Sequence, residues 1–317
     1  MKQAGSTVRG AAIPQPPSIL IFFHIPKTGG TTMDAILSRC FPGPQHFDGQ
    51  VGTSPSGLSI RPREKIEAKY HARTVEQRQA IRCVMGTHYP MGIDSMLDRP
   101  AKYFTILRPP VERVASHFFD DRTQKHLPCH ERIKNMTLED YLDSGLGITP
   151  FDNQVRLLSG CPELDTPWDP AGGPISAAPV ERRHLDLAKR NIEDRFITAA
   201  PLESFTTLLM MLRRIYGWRL QQLLFVKHNV GAARPFKTEP ISAASRRRLE
   251  DSNRYDTELY EWAKTRFAEQ MRSFEPELSR DRARFELLNA ATQRLDRTVP
   301  ASVRKLASRV LFPHHAA

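Results

Sequence analysis

The chain has 317 residues, 40% hydrophobic and 26% charged, a composition that excludes a disordered protein and fits a folded domain with a substantial core. Its 46 lysines and arginines outnumber its 35 aspartates and glutamates, and the net charge of +11 favours anionic partners such as nucleotides, acidic glycans or nucleic acid. No apolar stretch has the length of a signal-peptide core or of a membrane span, so we expect a cytoplasmic protein.

The predicted organisation is one large domain between two less regular ends. Residues 1–17 predict a flexible tail, residues 18–275 the domain, and residues 276–317 a C-terminal helical extension and tail. The four cysteines are widely spaced and form no CxxC pair, which indicates reduced thiols and not a disulfide framework.

The first predicted elements are a strand, a turn and a helix. Residues 19–23 form a short continuous apolar run, which is typical of a strand buried on both faces. A glycine-containing turn follows, and apolar residues then recur at helical spacing over 33–40. Residues 42–63 are rich in proline, glycine and serine and predict a loop.

The same alternation continues along the chain. Strands are predicted over 81–85 and 103–107, and a helix begins at Pro110, a residue suited to the first helical turn. Strands alternating with helices predict an α/β fold, a single P-loop-like domain whose mostly parallel central sheet is flanked by helices. Further helices are predicted over about 137–145, 181–192, 202–216 and 242–272, weaker strands over 195–199 and 223–227, and a long ordered loop over 161–180.

The sharpest chemical signal is the sequence HIPKTGGTT, residues 24–32, between the first strand and helix. Glycines let the backbone approach a phosphate, and the amides and dipole at a helix start bind it. Lys27 adds a positive charge, and Thr31 and Thr32 add hydroxyl donors. In a Walker A loop the lysine follows the glycines, whereas here it precedes them, so no residue is placed for magnesium by that rule. The alternative is an ordinary glycine-rich turn.

A second signal is LRPPVERVAS, residues 107–116, at the end of the third strand. Arg108 is predicted at the carboxyl end of that strand, where open α/β sheets bind ligands, and its fork of donors suits a phosphate. Ser116 lies two helical turns further on and can donate a hydroxyl from the helix surface. A structural ion pair is the alternative role for the arginine.

Together these two segments resemble the nucleotide-binding signatures of the Golgi-type carbohydrate sulfotransferases, in the branch that contains heparan sulfate 2-O-sulfotransferase and its bacterial relatives. The resemblance is fainter further on, in NQVRLLSG from 153 and NRYD from 253, and Pro109 stands where the family usually has Asp. It implies that 3′-phosphoadenosine 5′-phosphosulfate (PAPS) is the co-substrate. By resemblance, the 5′-phosphosulfate is held by Lys27, Thr28, Gly29, Gly30, Thr31 and Thr32, and the 3′-phosphate by Arg108 and Ser116.

The predicted catalytic pair is His88 and Lys27. His88 follows the second strand and should emerge at the same sheet edge as Lys27. A neutral imidazole suits removal of a hydroxyl proton, and in the resembling branch a histidine in a similar Gly-x-His setting is the base. Lys27 would then stabilise the bridging oxygen of the leaving group. A structural role for His88 is the alternative, and His24 is expected to pack locally.

No metal site is expected. The sequence HLPCH at 126–130 offers possible ligands, but its proline prevents a regular helical pair and no second cluster accompanies it. The basic, amphipathic segment 303–312 is compatible with peripheral contact with an anionic membrane, although a surface helix or flexible tail is the simpler interpretation.

The sequence therefore predicts a sulfotransferase that moves a sulfuryl group from PAPS to a hydroxyl of a carbohydrate, glycolipid or polysaccharide acceptor by in-line displacement. Two alternatives stay open. One is a small-molecule kinase with a variant phosphate loop, which would consume ATP with magnesium. The other is a non-catalytic module that binds polyanions in a salt-sensitive manner. Nucleic acid is not the expected partner, because no aromatic-and-basic recognition motif is present.

Overall fold

The computed structural model describes residues 18–48, 63–85, 91–125, 130–144, 146, 151–164, 178–226, 241–272, 274–275 and 277–298. Its centre is a five-stranded sheet in the order β2-β3-β1-β4-β5, and every neighbouring pair is parallel. The α/β fold with a mostly parallel sheet is therefore confirmed. The strands are β1 (Ile19–Phe23), β2 (His46–Asp48), β3 (Cys83–Met85), β4 (Ala101–Leu107) and β5 (Phe196–Pro201).

Helices cover both faces of this sheet. The first six are α1 (Gly30–Cys40), α2 (Arg63–His71), α3 (Val75–Ala80), α4 (Pro110–Asp121), α5 (His130–Ile133) and α6 (Leu138–Ser144). The others are α7 (Asn153–Ser159), α8 (Arg182–Arg195), α9 (Phe205–Tyr216), α10 (Leu220–Leu223), α11 (Ala243–Ser252), α12 (Arg254–Arg272) and α13 (Glu277–Thr298).

β1 is apolar at every position because both of its faces are covered. Ile19, Ile21 and Phe23 belong to a core that includes side chains of α2, α7, α8 and α12. Leu20 and Phe22 point the other way, into a core built with α1, α9, α10 and α13. A third cluster joins α4, α6 and α11 beside the sheet. The strand is thus fixed in register from both sides, and the turn that follows it starts from a rigid base.

The single helix predicted over 242–272 is wrong, because α11 and α12 are separate helices that meet at Asn253. The Asn253 side chain makes two hydrogen bonds to main-chain groups. Its amide nitrogen donates to the Leu249 carbonyl at 2.8 Å, and its oxygen accepts from the Asp152 amide at 3.1 Å. Side chains that compete for backbone bonds in this way favour helix ends.

Two other local predictions also need correction. Residues 223–226 form no strand: Leu223 ends α10, and the Phe225 amide donates to the side chain of Asn289 at 2.8 Å instead of to a neighbouring strand. The predicted loop 42–63 begins with a short strand, His46–Asp48, which pairs with β3. The predicted strands over 81–85, 103–107 and 195–199 correspond to β3, β4 and β5.

The predictions for the two ends of the chain are not tested by the described residues. Residues 1–17 and 303–312 lie outside the described residues. α13 packs on α9, and its Phe285 is buried in the core, while the boundary at residue 275 stays a prediction. Among the described helices, none has the length and apolar character needed to span a bilayer. Cys40, Cys83 and Cys161 are free thiols.

Candidate active site

The turn after β1 has an unusual backbone that is held by its own residues. Lys27 has φ 70°, in the left-handed region that costs a non-glycine residue about 1–2 kcal/mol. The Thr28 side chain is wholly buried, and its hydroxyl donates to the Ile25 carbonyl at 2.7 Å. The hydroxyl therefore closes the turn from inside, and only the main chain of Thr28 remains to contact a ligand.

The two glycines of the turn are required for different reasons. Gly29 has φ 90°, a conformation that side chains disfavour. A Cβ on Gly30 would lie 1.5 Å from Nε2 of His24, so the imidazole occupies the space that a side chain would fill. His24 also stacks on Phe22, with centroids 5.2 Å apart, and its Nδ1 lies 3.4 Å from the Asp34 carboxylate. His24 thus packs beneath the turn, and its side chain is only 8% exposed.

The start of α1 faces the same turn. The Met33 amide makes the first helical bond, to the Gly29 carbonyl at 3.2 Å. The amides of Gly30, Thr31 and Thr32 precede that bond, at the positions where a helix has donors without intrahelical partners and a positive dipole end. Thr31 is exposed and Thr32 half-buried. This end of α1 is suited to an anionic group.

The Lys27 ammonium lies against α4. Its Nζ is 2.8 Å from Oδ2 of Asp120, with the two side chains 16% and 33% exposed. Ser116 precedes Asp120 by four residues and therefore lies on the same face of α4, toward the turn. Ser116 is buried, 6% exposed, and so is not on the open helix surface as expected. Asp120 was not singled out in the sequence, although its spacing from Ser116 was visible there.

Arg108 reaches the same turn from the neighbouring strand. β4 pairs with β1 so that Phe23 lies beside Thr105, which brings both strand ends to one edge of the sheet. Arg108 directly follows β4, and its Nη1 donates to the Lys27 carbonyl at 3.1 Å. The structure therefore brings together the two segments that the sequence had picked out independently.

The main chain of Arg108 is bound by Gln154 on α7. The Arg108 amide donates to Oε1 of Gln154 at 3.0 Å, and Nε2 of Gln154 donates to the Arg108 carbonyl at 3.0 Å. Gln154 is wholly buried. Pro109 and Pro110 follow and have no amide hydrogen to contribute. The side-chain amide of Gln154 thus makes the two main-chain hydrogen bonds that a neighbouring strand would make within a sheet.

α7 and α12 cap each other next to this contact. Oδ2 and Oδ1 of Asp256 accept from the amides of Gln154 and Val155 at 3.1 and 2.8 Å, which caps α7. Oδ1 of Asp152 accepts from the Asp256 amide at 2.8 Å, which caps α12 in return. Burial raises the pKa of Asp152 to about 6, helped by the nearby Asp256.

A buried arginine balances this acidic pair. Arg113 is wholly buried, and its Nη1 donates to the Asn153 side chain at 3.5 Å. Burial raises the pKa of Asp256, and the positive charge of Arg113 acts in the opposite direction. Burial likewise lowers the pKa of Arg113, which Asp256 counters. The opposite charges of Arg113 and Asp256 therefore partly compensate for each other's burial.

A titratable carboxyl lies next to the partner of Lys27. Asp121 is buried, and the Tyr141 hydroxyl donates to its Oδ2 at 2.9 Å. Burial raises the pKa of Asp121 to about 7; the Tyr141 bond opposes this, and the charge of Asp120 adds to it. Near neutral pH the end of α4 therefore carries a carboxyl that holds a proton part of the time.

One group of metal-ligand types lies elsewhere, at Cys161, Glu163 and His184, whose ligand atoms are within 4.8 Å of one another. Nδ1 of His184 accepts from the Glu181 amide at 2.9 Å, so Nε2 carries the proton and faces Glu163 at 3.3 Å. A metal would need the lone pair of that nitrogen. The chemistry is that of a helix cap and does not fit a metal centre.

The predicted base cannot be placed. His88 lies in 86–90, outside the described residues, as do 49–62 and 165–177 of the two predicted loops 42–63 and 161–180. Sequence reasoning singled out Lys27 and Arg108 but not Gln154, which binds the Arg108 main chain, or Asp256, which binds the start of α7. The segments 153–160 and 253–256 had been noticed for their resemblance alone.

Comparison with known sequences identifies the family to which the chain belongs. The family model described as galactose-3-O-sulfotransferase matches residues 2–302. The chain belongs to this family. One curated relative is heparan-sulfate 6-O-sulfotransferase 3-B of Danio rerio. It is 26% identical to this chain over an alignment that covers 78% of the chain. The chain spans 64% of the length of that relative.

Among solved structures, mouse sulfotransferase SULT7A1 complexed with PAP is similar with a TM-score of 0.36 and 16% identity. The similarity covers 64% of this chain and 59% of the mouse protein. At that level the family assignment rests on the sequence match, and the fold on the parallel sheet described above.

Proposed function

We propose that the protein transfers a sulfuryl group from PAPS to a hydroxyl of a carbohydrate-containing acceptor. The observation that carries the proposal is the 3.1 Å bond from Arg108 to the Lys27 carbonyl, which joins the two predicted phosphate-binding segments at one sheet edge. Two phosphate sites that meet in this way suit a nucleotide with phosphates at both the 3′ and 5′ positions of its ribose. Membership of a sulfotransferase family supports the same donor.

In this proposal the two ends of the donor are bound by different elements. The amides of Gly30, Thr31 and Thr32 and the dipole of α1 hold the 5′-phosphosulfate. Arg108 and Ser116 hold the 3′-phosphate. Thr28 and Gly29 contribute through the main chain, since the Thr28 hydroxyl already donates to Ile25.

The transfer itself is an in-line displacement. The acceptor oxygen forms a bond to sulfur as the bond from sulfur to the 5′-phosphate oxygen breaks, and 3′,5′-adenosine bisphosphate (PAP) leaves with the electron pair. His88 takes the proton of the acceptor hydroxyl, and Lys27 stabilises the charge that develops on the bridging oxygen. Catalysis then rests on positioning and on fixed charge, and no step requires a metal.

Lys27 has to change partners during this reaction. Its ammonium lies 2.8 Å from Asp120, on the side toward α4. The anionic donor would compete with Asp120 for the ammonium, so Asp120 holds the lysine in place between turnovers and weakens donor binding.

The acceptor is proposed only as a class. The family name refers to galactose and the fish relative to heparan sulfate, while the motifs resemble the 2-O branch. A panel of galactosides and heparan-type oligosaccharides with labelled donor would distinguish these. Incorporation into none of them would count against a carbohydrate acceptor. The cytoplasmic location and the membrane contact of 303–312 stay predictions.

The decisive experiment is calorimetric titration with PAP beside 5′-AMP. The proposal predicts strong preference for PAP, because charge-assisted bonds to a second phosphate contribute about 1.5–3 kcal/mol each. Equal affinity for the two nucleotides would overturn it. Magnesium-dependent consumption of ATP would favour the kinase alternative, and salt-sensitive polyanion binding that survives Lys27→Ala would favour the non-catalytic module.

A further inference from the structure

The position of Arg108 depends on groups that are distant in sequence. Arg108 follows the last residue of β4 and precedes two prolines, so the sheet ladder ends there and the next two residues donate no main-chain bond. Gln154 supplies both a donor and an acceptor to the Arg108 main chain, each at 3.0 Å. Because the side chain of Gln154 is wholly buried, its amide has little freedom to swing away.

Gln154 is in turn held by α12. Its own amide donates to Oδ2 of Asp256, and the next amide, of Val155, donates to Oδ1. Asp256 therefore fixes the first turn of α7, and the Gln154 side chain connects this turn to the main chain of Arg108. Asp256, Gln154 and Arg108 form a continuous hydrogen-bonded chain, which we call the arginine support.

We propose that Gln154, oriented by Asp256, is a positioning residue that aims the Arg108 guanidinium at the 3′-phosphate. This inference rests on the proposed function and adds to it the residues that set nucleotide selectivity. A guanidinium at the end of a flexible side chain recognises a phosphate well only when its main chain is fixed, since small displacements weaken charge-assisted bonds.

The test is Gln154→Met, which keeps the volume and removes both bonds to Arg108. We expect PAP affinity to fall about tenfold, while 5′-AMP affinity changes less than about twofold, since only PAP carries the 3′-phosphate. The matched control is Gln222→Met. Gln222 also bridges two main-chain groups, accepting from the Arg219 amide at 2.9 Å and donating to the Arg39 carbonyl at 3.2 Å, but it lies on α10.

A double-mutant cycle separates positioning from general stability. In an Arg108→Ala background the guanidinium is gone, so Gln154→Met should leave the ratio of PAP to 5′-AMP affinity unchanged. A purely structural glutamine would lower both affinities in either background. Thermal melting of each variant accompanies the titrations.

The results distinguish failure of the proposed function from failure of this inference. A wild-type protein without preference for PAP would overturn the proposed function. A wild-type preference that Gln154→Met preserves within about twofold would overturn this inference alone. If Gln154→Met does not fold, Gln154→Glu decides, because it keeps the acceptor oxygen but loses the donor to Arg108, and the same loss of preference is expected. If neither variant folds, the support is structural and the inference is wrong.

Discussion

The two sides of the candidate site are built in opposite ways. The shape of the lysine-bearing turn depends mainly on adjacent residues: Thr28 donates to Ile25 three positions earlier, and His24 packs beneath the turn against Gly30. Arg108 and Asp120 contact Lys27 from outside the turn. The main chain of Arg108, in contrast, is held by Gln154, which is 46 positions away, and Gln154 depends on Asp256, about 100 positions further on.

This difference separates what each side does. A turn whose shape depends mostly on adjacent residues is less sensitive to packing elsewhere, which suits its proposed role in binding the phosphosulfate. An arginine whose main chain is held by distant helices would, in the proposed function, make nucleotide recognition depend on their packing. Changes in the turn should therefore affect turnover first, and changes in the arginine support should affect stability and nucleotide selectivity.

The largest effect is expected from Lys27→Ala. Loss of the ammonium should reduce turnover by at least about a hundredfold, because it removes a donor that acts on the leaving oxygen. PAP affinity should change much less. Steady-state assays with labelled PAPS measure the first quantity and calorimetry the second. Near-normal turnover in a folded variant would remove Lys27 from the chemistry. His88→Ala should show a loss of similar size.

The next largest effect is expected from a change in the arginine support, at Asp256. Asp256→Asn should reduce the free energy of unfolding by about 2–4 kcal/mol, because a buried amide at the start of α7 would lose its acceptor and the buried Arg113 would lose a nearby opposite charge. Glu258→Gln, two residues along α12, is the control. Glu258 is 41% exposed and pairs with Arg182 and Lys189, so its removal should cost at most about 1 kcal/mol. Urea unfolding compares the two variants, and equal losses would contradict the structural role of the buried Asp256 carboxylate.

A smaller effect is expected within the turn. Gly30→Ala places a Cβ where His24 lies, and the displaced ring should cost about 1–3 kcal/mol. The same substitution in a His24→Gly background should be nearly neutral, because the space is then open. Thermal melting of the four proteins measures the coupling. Additive losses would show that His24 is not what excludes a side chain at Gly30.

The smallest effect should come from Asp120→Asn. Removing a negative charge 2.8 Å from Lys27 should tighten PAP binding by about two- to fivefold, and more at low salt than at high salt. Asp98→Asn is the control, since Asp98 pairs with Arg78 at 2.7 Å on the surface. Weaker PAP binding by Asp120→Asn would mean that Asp120 positions the lysine for the donor instead of competing with it.

The sequence by itself determined the parts of the protein that depend on neighbouring residues. The apolar run of β1, the glycines and the lysine of the turn, and the proline that begins α4 are each local signals, read from a few adjacent residues. Their local chemistry was enough to predict the strand, turn and helix, and the parallel sheet followed from their alternation. The break between α11 and α12 was missed; one of the two side-chain bonds that Asn253 makes there is to the amide of Asp152, 101 positions away.

Only the tertiary structure decided how the two predicted phosphate-binding segments meet. The bond from Arg108 to Lys27 spans 81 positions, and the bonds that set Gln154 and Asp256 span about 100. No periodicity or spacing encodes which buried amide will meet which carboxylate, because that depends on how helices pack on the sheet. A role for residues whose partners are distant in the chain, such as Gln154, can be proposed only when those partners are in place.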